Sequence, residues 1–225
     1  SPHNLYTDGE RMVALSQALT AFDRDDELWV AVLCAAGEHT TAGLDMPKFF
    51  GPTATPVESP VDAIDPFALK RRTLKPVVAV VQGITYTIGI EMMLAADIVI
   101  AADSARFCQM ESKRGIAPLG GAHFRFLTRT GWGNAMYHLM LCDEFDAQRA
   151  LQIGLVQEVV PYGKHIDRAM EILDKQRDKL AALRLRVLRP PRGKRLGAAR
   201  NDLGQLLQLR AVEARARRAW IERQQ

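Results

Sequence analysis

The stretch that decides the fold is residues 75–121, which read KPVVAVVQGITYTIGIEMMLAADIVIAADSARFCQMESKRGIAPLGG. After its first two residues comes a short apolar run, residues 77–82, of the kind that forms a buried strand. Residues 91–96 predict a helix, and residues 97–101 predict a further strand. Strands that alternate with helices favour an α/β fold in which the strands are buried.

Two glutamates in this stretch are candidates for acid/base chemistry. Glu91 follows Thr87-Ile88-Gly89-Ile90, where a strand and turn give way to a helix, and Glu111 lies 20 positions further on. Two carboxyl groups held close together cannot both ionise easily, so one of them gains a raised pKa and can donate a proton near neutrality. Spacing alone favours the alternative interpretation, in which Glu91 is an ordinary first-turn helix residue and Glu111 an exposed loop residue.

Two glycine-containing turns are candidates for binding an oxyanion. The apolar run of residues 29–34 is followed by the turn Thr41-Ala42-Gly43-Leu44-Asp45, and the strand of residues 77–82 is followed by Gly83 and then Ile88-Gly89. Each strand-to-turn junction leaves backbone N–H groups unpaired, and a helix that starts near Gly89 adds its positive end. Two such groups converging on one oxygen would stabilise a developing enolate. Ordinary turn chemistry accounts for each glycine equally well.

Capping residues mark several helices outside this stretch. Asp8 is a candidate N-cap for a helix with apolar residues at positions 12, 15, 19 and 22, and Asp146 can cap a helix over residues 147–153. The segment Gly131-Trp132-Gly133 should separate two helices, residues 121–130 and 132–142. From His165 onward the pattern predicts helices, interrupted near residues 190–193.

Residues 51–74 are rich in proline, threonine and charge and show no clear period. They predict a surface loop with some helix near residues 65–72, and such a loop could cover a site. A last short strand is expected over residues 155–160, ended by Pro161.

Length and composition narrow the class of protein. The chain has 225 residues, of which 48% are hydrophobic, so we expect one large domain, or a domain with a helical appendage, and little disorder. No apolar stretch approaches the roughly 20 residues of a membrane span. Residues 1–11 lack the basic start and apolar run of a signal peptide.

The cysteines and histidines favour neither disulfides nor a metal site. Cys34, Cys108 and Cys142 are far apart and odd in number, which suits a reduced, cytoplasmic protein. The five histidines show no ligand spacing with them. We therefore expect no metal.

Charge is distributed unevenly along the chain. Residues 184–223 hold twelve Lys and Arg against three acidic residues, although the whole chain carries a net charge of only +4. A basic tail can bind nucleic acid, a membrane surface or phosphorylated ligands, but solvated faces of amphipathic helices account for the same pattern, and this is the interpretation that composition favours.

Four ordered blocks of sequence identify a resemblance to the crotonase, or enoyl-CoA hydratase/isomerase, family. The chain is similar to this family through VAVLCAAGEHTTAGLDM at residues 30–46, residues 75–107 of the stretch quoted first, QMESKRGIAPLGGAHFRFLTRTGW at residues 109–132 and CDEFDAQRALQIGLVQEVVP at residues 142–161. The match beyond these blocks is looser. The resemblance implies a core of ββα units wound as a spiral over residues 1–162 and a C-terminal helical region over residues 163–225. In the family that region mediates trimerisation, often as a dimer of trimers.

The resemblance also implies the activity and the residues that carry it. The substrate would be an acyl-CoA thioester, with no separate cofactor because coenzyme A is part of the substrate. The family's oxyanion donors fall on the backbone N–H groups of Ala42 and Ile88. Glu91 would help to activate water for addition to a 2-enoyl-CoA, and Glu111 would exchange the proton at the α-carbon. The residues expected to bind substrate are Ala42, Gly43, Leu44, Asp45, Ile88 and Leu119.

Departures from the family pattern set further expectations. Thr87, Ile88 and Leu119 stand where the family usually keeps glycine, which predicts a narrower site. The N-terminal β-hairpin that normally precedes the first helix is not evident, so we expect a truncated or incompletely represented chain.

Other functions remain open on the sequence. A double-bond isomerase, a thioester hydrolase or a dehalogenase of the same family would act on the same class of thioester. A non-catalytic, RNA-binding member is the alternative of a different class, motivated by the basic tail, although we expect no membrane partner and regard nucleic acid as the weaker interpretation.

Overall fold

The computed structural model describes residues 6–50, 60–184 and 208–211. Ten strands and six α-helices occur in these ranges. The strands are β1 Tyr6–Thr7, β2 Ala31–Cys34, β3 Gly43–Leu44, β4 Val77–Val81, β5 Ile84–Tyr86, β6 Ile98–Ala102, β7 Arg106–Cys108, β8 Phe145–Asp146, β9 Glu158–Val160 and β10 Gln208–Ala211. The helices are α1 Gly9–Arg24, α2 Met46–Phe50, α3 Ile88–Ala95, α4 Ala122–Leu141, α5 Ala147–Gln152 and α6 His165–Arg184, with a 3₁₀ turn at Ser112–Arg114.

The central feature is a five-stranded sheet in the order β10-β2-β4-β6-β9, in which β2, β4, β6 and β9 run parallel. Three successive units, β2-β3-α2, β4-β5-α3 and β6-β7-α4, each contribute one strand to this sheet and a second to one of two smaller sheets. This repetition of ββα units confirms the expected α/β spiral.

Alternation along the parallel strands divides the core into two layers. Leu33, Ala79 and Val99 pack on one side of the sheet with α1, α3 and α4. Val32, Val78 and Ile100 point to the opposite side and pack against α6. Because side chains alternate between the faces of a strand, almost every residue of β2, β4 and β6 is buried.

The predicted caps and the predicted helix break are confirmed. The carboxylate of Asp8 accepts a hydrogen bond from the Arg11 N–H, and that of Asp146 accepts one from the Arg149 N–H, so each starts its helix as expected. Gly131 has φ 77° and ψ 164°, which breaks the regular geometry inside α4.

Two expectations about secondary structure are wrong. Residues 65–72 form turns instead of a helix, because the Asp65 carboxylate accepts hydrogen bonds from the N–H groups of Phe67, Leu69 and Lys70 and closes the chain into a loop. Helices were expected throughout from His165 onward; α6 is present, but Gln208–Ala211 is a strand antiparallel to β2. The expected interruption at residues 190–193 lies outside the described residues. No helix in the described part of the chain is long and apolar enough to span a membrane.

Candidate active site

Two glycine-containing turns touch each other beside the parallel sheet. A Cβ atom on Gly43, where φ is +123°, would lie 2.5 Å from Oγ1 of Thr87, and one on Gly89 would lie 2.9 Å from Cγ2 of Thr41. Hydrogen bonds of 3.0 Å from the Thr41 N–H to the Ile84 carbonyl and 2.9 Å from the Tyr86 N–H to the Thr41 carbonyl link the segments. The two glycines therefore allow a contact that any side chain would prevent.

The two proposed oxyanion donors lie at this contact. Within the described ranges, the N–H groups of Ala42 and Ile88 donate to no backbone or side-chain acceptor. Ile88 is the first residue of α3, where N–H groups are left without helical partners and the helix dipole favours negative charge. The Ile88 side chain is only 4% exposed and packs in the core, and the narrowing expected from it stays a prediction.

Backbone strain is concentrated at the residue that precedes α3. Thr87 has φ 47° and ψ −112°, a conformation unusual for a β-branched residue, and its N–H donates to the Cys108 carbonyl at 3.0 Å. Such strain costs about 1–3 kcal/mol and persists only where the surroundings impose it. The bond to Cys108 fixes the start of α3 against the strand that leads to Glu111.

Glu91 is buried in the first turn of α3, with 3% of its surface exposed. Its Oε1 accepts a hydrogen bond from the Ala122 N–H at 3.2 Å. Burial is the main cause that raises the Glu91 pKa to about 7, and the negative charge of Glu111 adds to it. Backbone N–H groups of Ala122 and Gly120 and the charge of Arg125 oppose this increase. Near neutral pH this carboxyl can therefore both accept and donate a proton.

Glu111 is the second buried carboxyl, with 9% of its surface exposed. Its backbone carbonyl accepts hydrogen bonds from the N–H groups of Arg114 and Ile116, which fold the following 3₁₀ turn. Its Oε2 is buried and has no hydrogen-bond partner within the described residues. Burial raises the Glu111 pKa, and the backbone N–H groups of Glu111 and Met110 partly offset this effect by favouring the ionised form.

The other predicted substrate-binding residues differ in their surroundings. Gly43 and Leu44 form β3, which pairs with β1, and the Asp45 carboxylate lies 3.5 Å from Nζ of Lys48. The Leu119 side chain is 71% exposed, and the narrowing expected from it stays a prediction. Contact with substrate remains a prediction for all of them.

Sequence reasoning overlooked Gly120, Phe67 and Arg125 as neighbours of Glu91. A Cβ on Gly120 would lie 2.3 Å from Oε2 of Glu91, so only glycine fits there. The adjacent glycines at 120 and 121 were a visible signal of a close backbone approach. Nothing local marks Phe67 or Arg125, because they come from a different loop and from α4.

A spiral of ββα units with two buried carboxyls, and with two turn N–H groups that have no acceptor within the described residues, is typical of one class of protein, the crotonase type. Residues 6–222 match the family described as "Enoyl-CoA hydratase/isomerase", and the chain belongs to that family.

Individual relatives agree with this assignment. The chain is 30% identical to an enoyl-CoA hydratase, EchA19, of Mycobacterium tuberculosis, over 73% of this chain and 64% of the relative. It is 30% identical to a hydroxycinnamoyl-CoA hydratase-lyase of Pseudomonas fluorescens, over 70% of this chain and 60% of the relative. A solved structure of a probable enoyl-CoA hydratase/isomerase from Mycobacterium abscessus aligns with a TM-score of 0.73 and 38% identity, covering 82% of this chain and 76% of that one. The chain thus spans less than two thirds of the length of these curated relatives.

Proposed function

We propose that this chain adds water across the double bond of a 2-enoyl-CoA thioester and forms a 3-hydroxyacyl-CoA. The observation that carries the proposal is the burial of Glu91 and Glu111, both with raised pKa, together with the N–H groups of Ala42 and Ile88, which have no acceptor within the described residues. Family membership and relatives named as CoA hydratases support the same substrate class.

The oxyanion donors would act on the thioester carbonyl. As hydroxide adds to the β-carbon, electrons move from the double bond onto the carbonyl oxygen, which becomes an enolate oxygen. The N–H groups of Ala42 and Ile88 would hold that oxygen, and loss of one such donor typically costs about 3–4 kcal/mol of barrier. Because the donors belong to the backbone, the side chains at 42 and 88 affect the step only through the geometry of the turns.

The two carboxyls would exchange the protons. Glu91, whose pKa of about 7 makes it a stronger base than an ordinary glutamate, would take a proton from the attacking water. Glu111, whose pKa is also raised, would deliver a proton to the α-carbon as the enolate collapses. Overall, the substrate gains one water, Glu91 gains a proton and Glu111 loses one. Transfer of a proton from Glu91 to Glu111 then restores the enzyme.

A direct assay follows the loss of enoyl-thioester absorbance when the protein is added, over a series of acyl chain lengths. We expect activity in the unaltered chain, a fall of about 10²–10⁴-fold in Glu111→Gln, and little change in the control Glu27→Gln, an exposed glutamate outside the site. Absence of turnover at every chain length would contradict the proposal.

Other reactions of the same thioester class are distinguished by product mass. Hydration adds the mass of one water, whereas double-bond isomerisation leaves the mass unchanged, and thioester hydrolysis releases free coenzyme A. Two buried carboxyls favour hydration over isomerisation, because a single carboxyl is enough to move one proton between two carbons.

Assembly and partners follow as proposals from the family. We propose a homotrimer, or a dimer of trimers, with no cofactor apart from the coenzyme A of the substrate, located in the cytoplasm. The basic segment that motivated RNA binding lies mostly outside the described residues, so this alternative remains a prediction; a salt-dependent nucleic-acid titration tests it.

A further inference from the structure

Residues 64–72, the covering segment, form a closed loop beside Glu91. The Asp65 carboxylate accepts hydrogen bonds from the N–H groups of Phe67, Leu69 and Lys70 at 2.9–3.2 Å. The Asp65 N–H donates to the Arg71 carbonyl at 2.9 Å and closes the loop. At one end, the Ile64 carbonyl accepts a hydrogen bond from the Ser16 hydroxyl at 2.6 Å, which ties the segment to α1.

The turn at Gly120 and Gly121 is packed on both sides. A Cβ on Gly120 would lie 2.3 Å from Oε2 of Glu91 and 3.0 Å from Cδ1 of Phe67, so the carboxyl and the aromatic ring meet at this glycine. A Cβ on Gly121 would lie 2.4 Å from Nη1 of Arg125. The turn therefore separates the Glu91 carboxyl and Phe67 ring from the Arg125 guanidinium.

Arg125 connects the covering segment to α4. Its Nη1 donates to the Phe67 carbonyl at 2.6 Å, and its Nη2 donates to the Ala68 carbonyl at 2.9 Å. Ala68 has a positive φ of 50°, which is unfavourable for a residue with a Cβ. These two hydrogen bonds hold that conformation and with it the position of the Phe67 ring.

We propose that Arg125 is a positioning residue that fastens the covering segment over the site, so that the Phe67 ring shields the Glu91 carboxyl from water. The role assigned to Glu91 in turnover rests on the proposed function, but the shielding itself does not. Phe67 also packs against the main core cluster, which restrains its ring from a second side.

Because of the charges around Glu91, the role of Arg125 can be tested by the direction in which the Glu91 pKa shifts when Arg125 is replaced. Among the described residues, the charges of Glu111 and Arg125 influence the Glu91 pKa. The charges of Asp65 and Arg72 influence the Arg125 pKa. Removal of the Arg125 charge alone would raise the Glu91 pKa. Release of the covering segment would admit water and lower it, and burial is the larger influence on this carboxyl. The two roles therefore predict opposite shifts.

The test is a titration of Glu91 observed by ¹³C NMR of protein labelled at the glutamate side-chain carboxyl, with the resonance assigned by its absence in Glu91→Gln. In Phe67→Ala the midpoint should fall by about one pH unit, a tenfold increase in the acid dissociation constant. In Phe67→Leu, which keeps an apolar cover, it should move by much less. An unchanged midpoint in a folded Phe67→Ala protein overturns the proposal; if that variant does not fold, Phe67→Val replaces it.

The decisive variant is Arg125→Met, with Arg129→Met as its matched control. Arg129 lies one turn further along α4 and bonds the Ala96 carbonyl and Gln157, away from the covering segment. Arg125→Met should lower the Glu91 midpoint, Arg125→Lys should lower it by less, and Arg129→Met should leave it in place. A midpoint that rises in Arg125→Met, or stays constant, shows that Arg125 acts only as a charge or not at all, and overturns the proposal.

A kinetic measurement separates this inference from the proposed function. The ascending limb of the pH profile of kcat should move to lower pH in Phe67→Ala and Arg125→Met, in step with the NMR midpoints. If the unaltered protein shows no hydration, the proposed function fails while the NMR titration still decides the inference. If hydration occurs and the NMR midpoints do not move, the inference alone fails.

Discussion

Glu91 and Glu111 are both buried carboxyls, but the protein surrounds them differently. Glu91 accepts a hydrogen bond from the Ala122 N–H and lies against Gly120 and Phe67, whereas Oε2 of Glu111 has no hydrogen-bond partner within the described residues. The Gln109 amide next to Glu111 is 1% exposed and also unpartnered in that part of the chain. Oε1 of Glu91 thus has a backbone donor, whereas Oε2 of Glu111 keeps a free acceptor within the described residues.

The difference suggests how the work is divided between the two carboxyls. A carboxyl fixed by backbone donors keeps its orientation while a water approaches, and this suits the base proposed for Glu91. A free acceptor in a buried place is costly unless something binds to it, so we expect Glu111 to contact the substrate or water directly.

The largest expected effect comes from removing both carboxyls together. Glu91→Gln and Glu111→Gln should each lower kcat by about 10²–10⁴-fold. Because the two groups act in one proton exchange, the double variant should be within about tenfold of the slower single variant. Steady-state kinetics on purified variants measures this. Losses that multiply would mean that the two carboxyls act independently.

The pH dependence of stability isolates Glu91. Its pKa rises from 4.5 to about 7 on folding, so the protonated form is favoured in the folded state. The stabilisation of the folded state by the protonated Glu91 carboxyl is fully present below pH 4.5 and is lost as the pH rises through 7. Glu91→Gln, which cannot ionise, should therefore be more stable than the unaltered protein by about 3 kcal/mol at pH 8.5, a difference that disappears near pH 4.

Denaturant unfolding at several pH values measures this difference, with Glu27→Gln as the exposed control. A constant difference across the pH range would show that Glu91 titrates normally and would remove the basis for its role as a strong base.

Gly120→Ala tests the close packing around Glu91. The new Cβ would lie 2.3 Å from Oε2 of Glu91 and 3.0 Å from the Phe67 ring, so one of them must move. We expect a loss of about 2 kcal/mol in the free energy of unfolding. The control is Gly133→Ala, near the middle of α4, where a new Cβ meets nothing within 4 Å. This variant should gain up to about 1 kcal/mol in the free energy of unfolding from helix propensity. Equal effects in the two variants would contradict the packing described for Glu91.

Gln109→Leu tests the environment of Glu111 and has the smallest expected effect. Replacing a buried, unpartnered amide by an apolar side chain of similar size should be neutral or stabilise the protein by about 1 kcal/mol. Thermal unfolding measures this change in stability. A clear loss of stability would mean that the amide forms hydrogen bonds in solution.

Local chemistry explains which features were predictable from the sequence. Asp8, Asp146 and Gly131 act through their own backbone neighbourhood, so the sequence predicted the two helix starts and the break in α4. The same reasoning failed at Asp65, where a side chain that can cap a helix instead closes a loop by bonding three N–H groups. Strand β10 was unpredictable for another reason: its pairing with β2 joins segments far apart in the chain.

The candidate site was likewise predictable only in part from the sequence. Gly43, Gly89 and the two glutamates stand in recognisable frames, and their order agrees with the family. The burial of Glu91 could not be predicted from its neighbours in sequence, because Gly120 and the Phe67 ring lie against it from other parts of the chain. The narrowing expected from Ile88 and Leu119 stays a prediction; one side chain packs in the core and the other is exposed.

The most direct test of the central claim is a crystal structure of the protein with a bound 3-hydroxyacyl-CoA. We predict that the thioester oxygen lies about 2.7–3.2 Å from the backbone nitrogens of both Ala42 and Ile88. The 3-hydroxyl oxygen should lie within the same distance of the Glu91 carboxyl, with Glu111 beside the α-carbon. A thioester oxygen that contacts neither nitrogen, or a hydroxyl that points away from both carboxyls, would contradict the account.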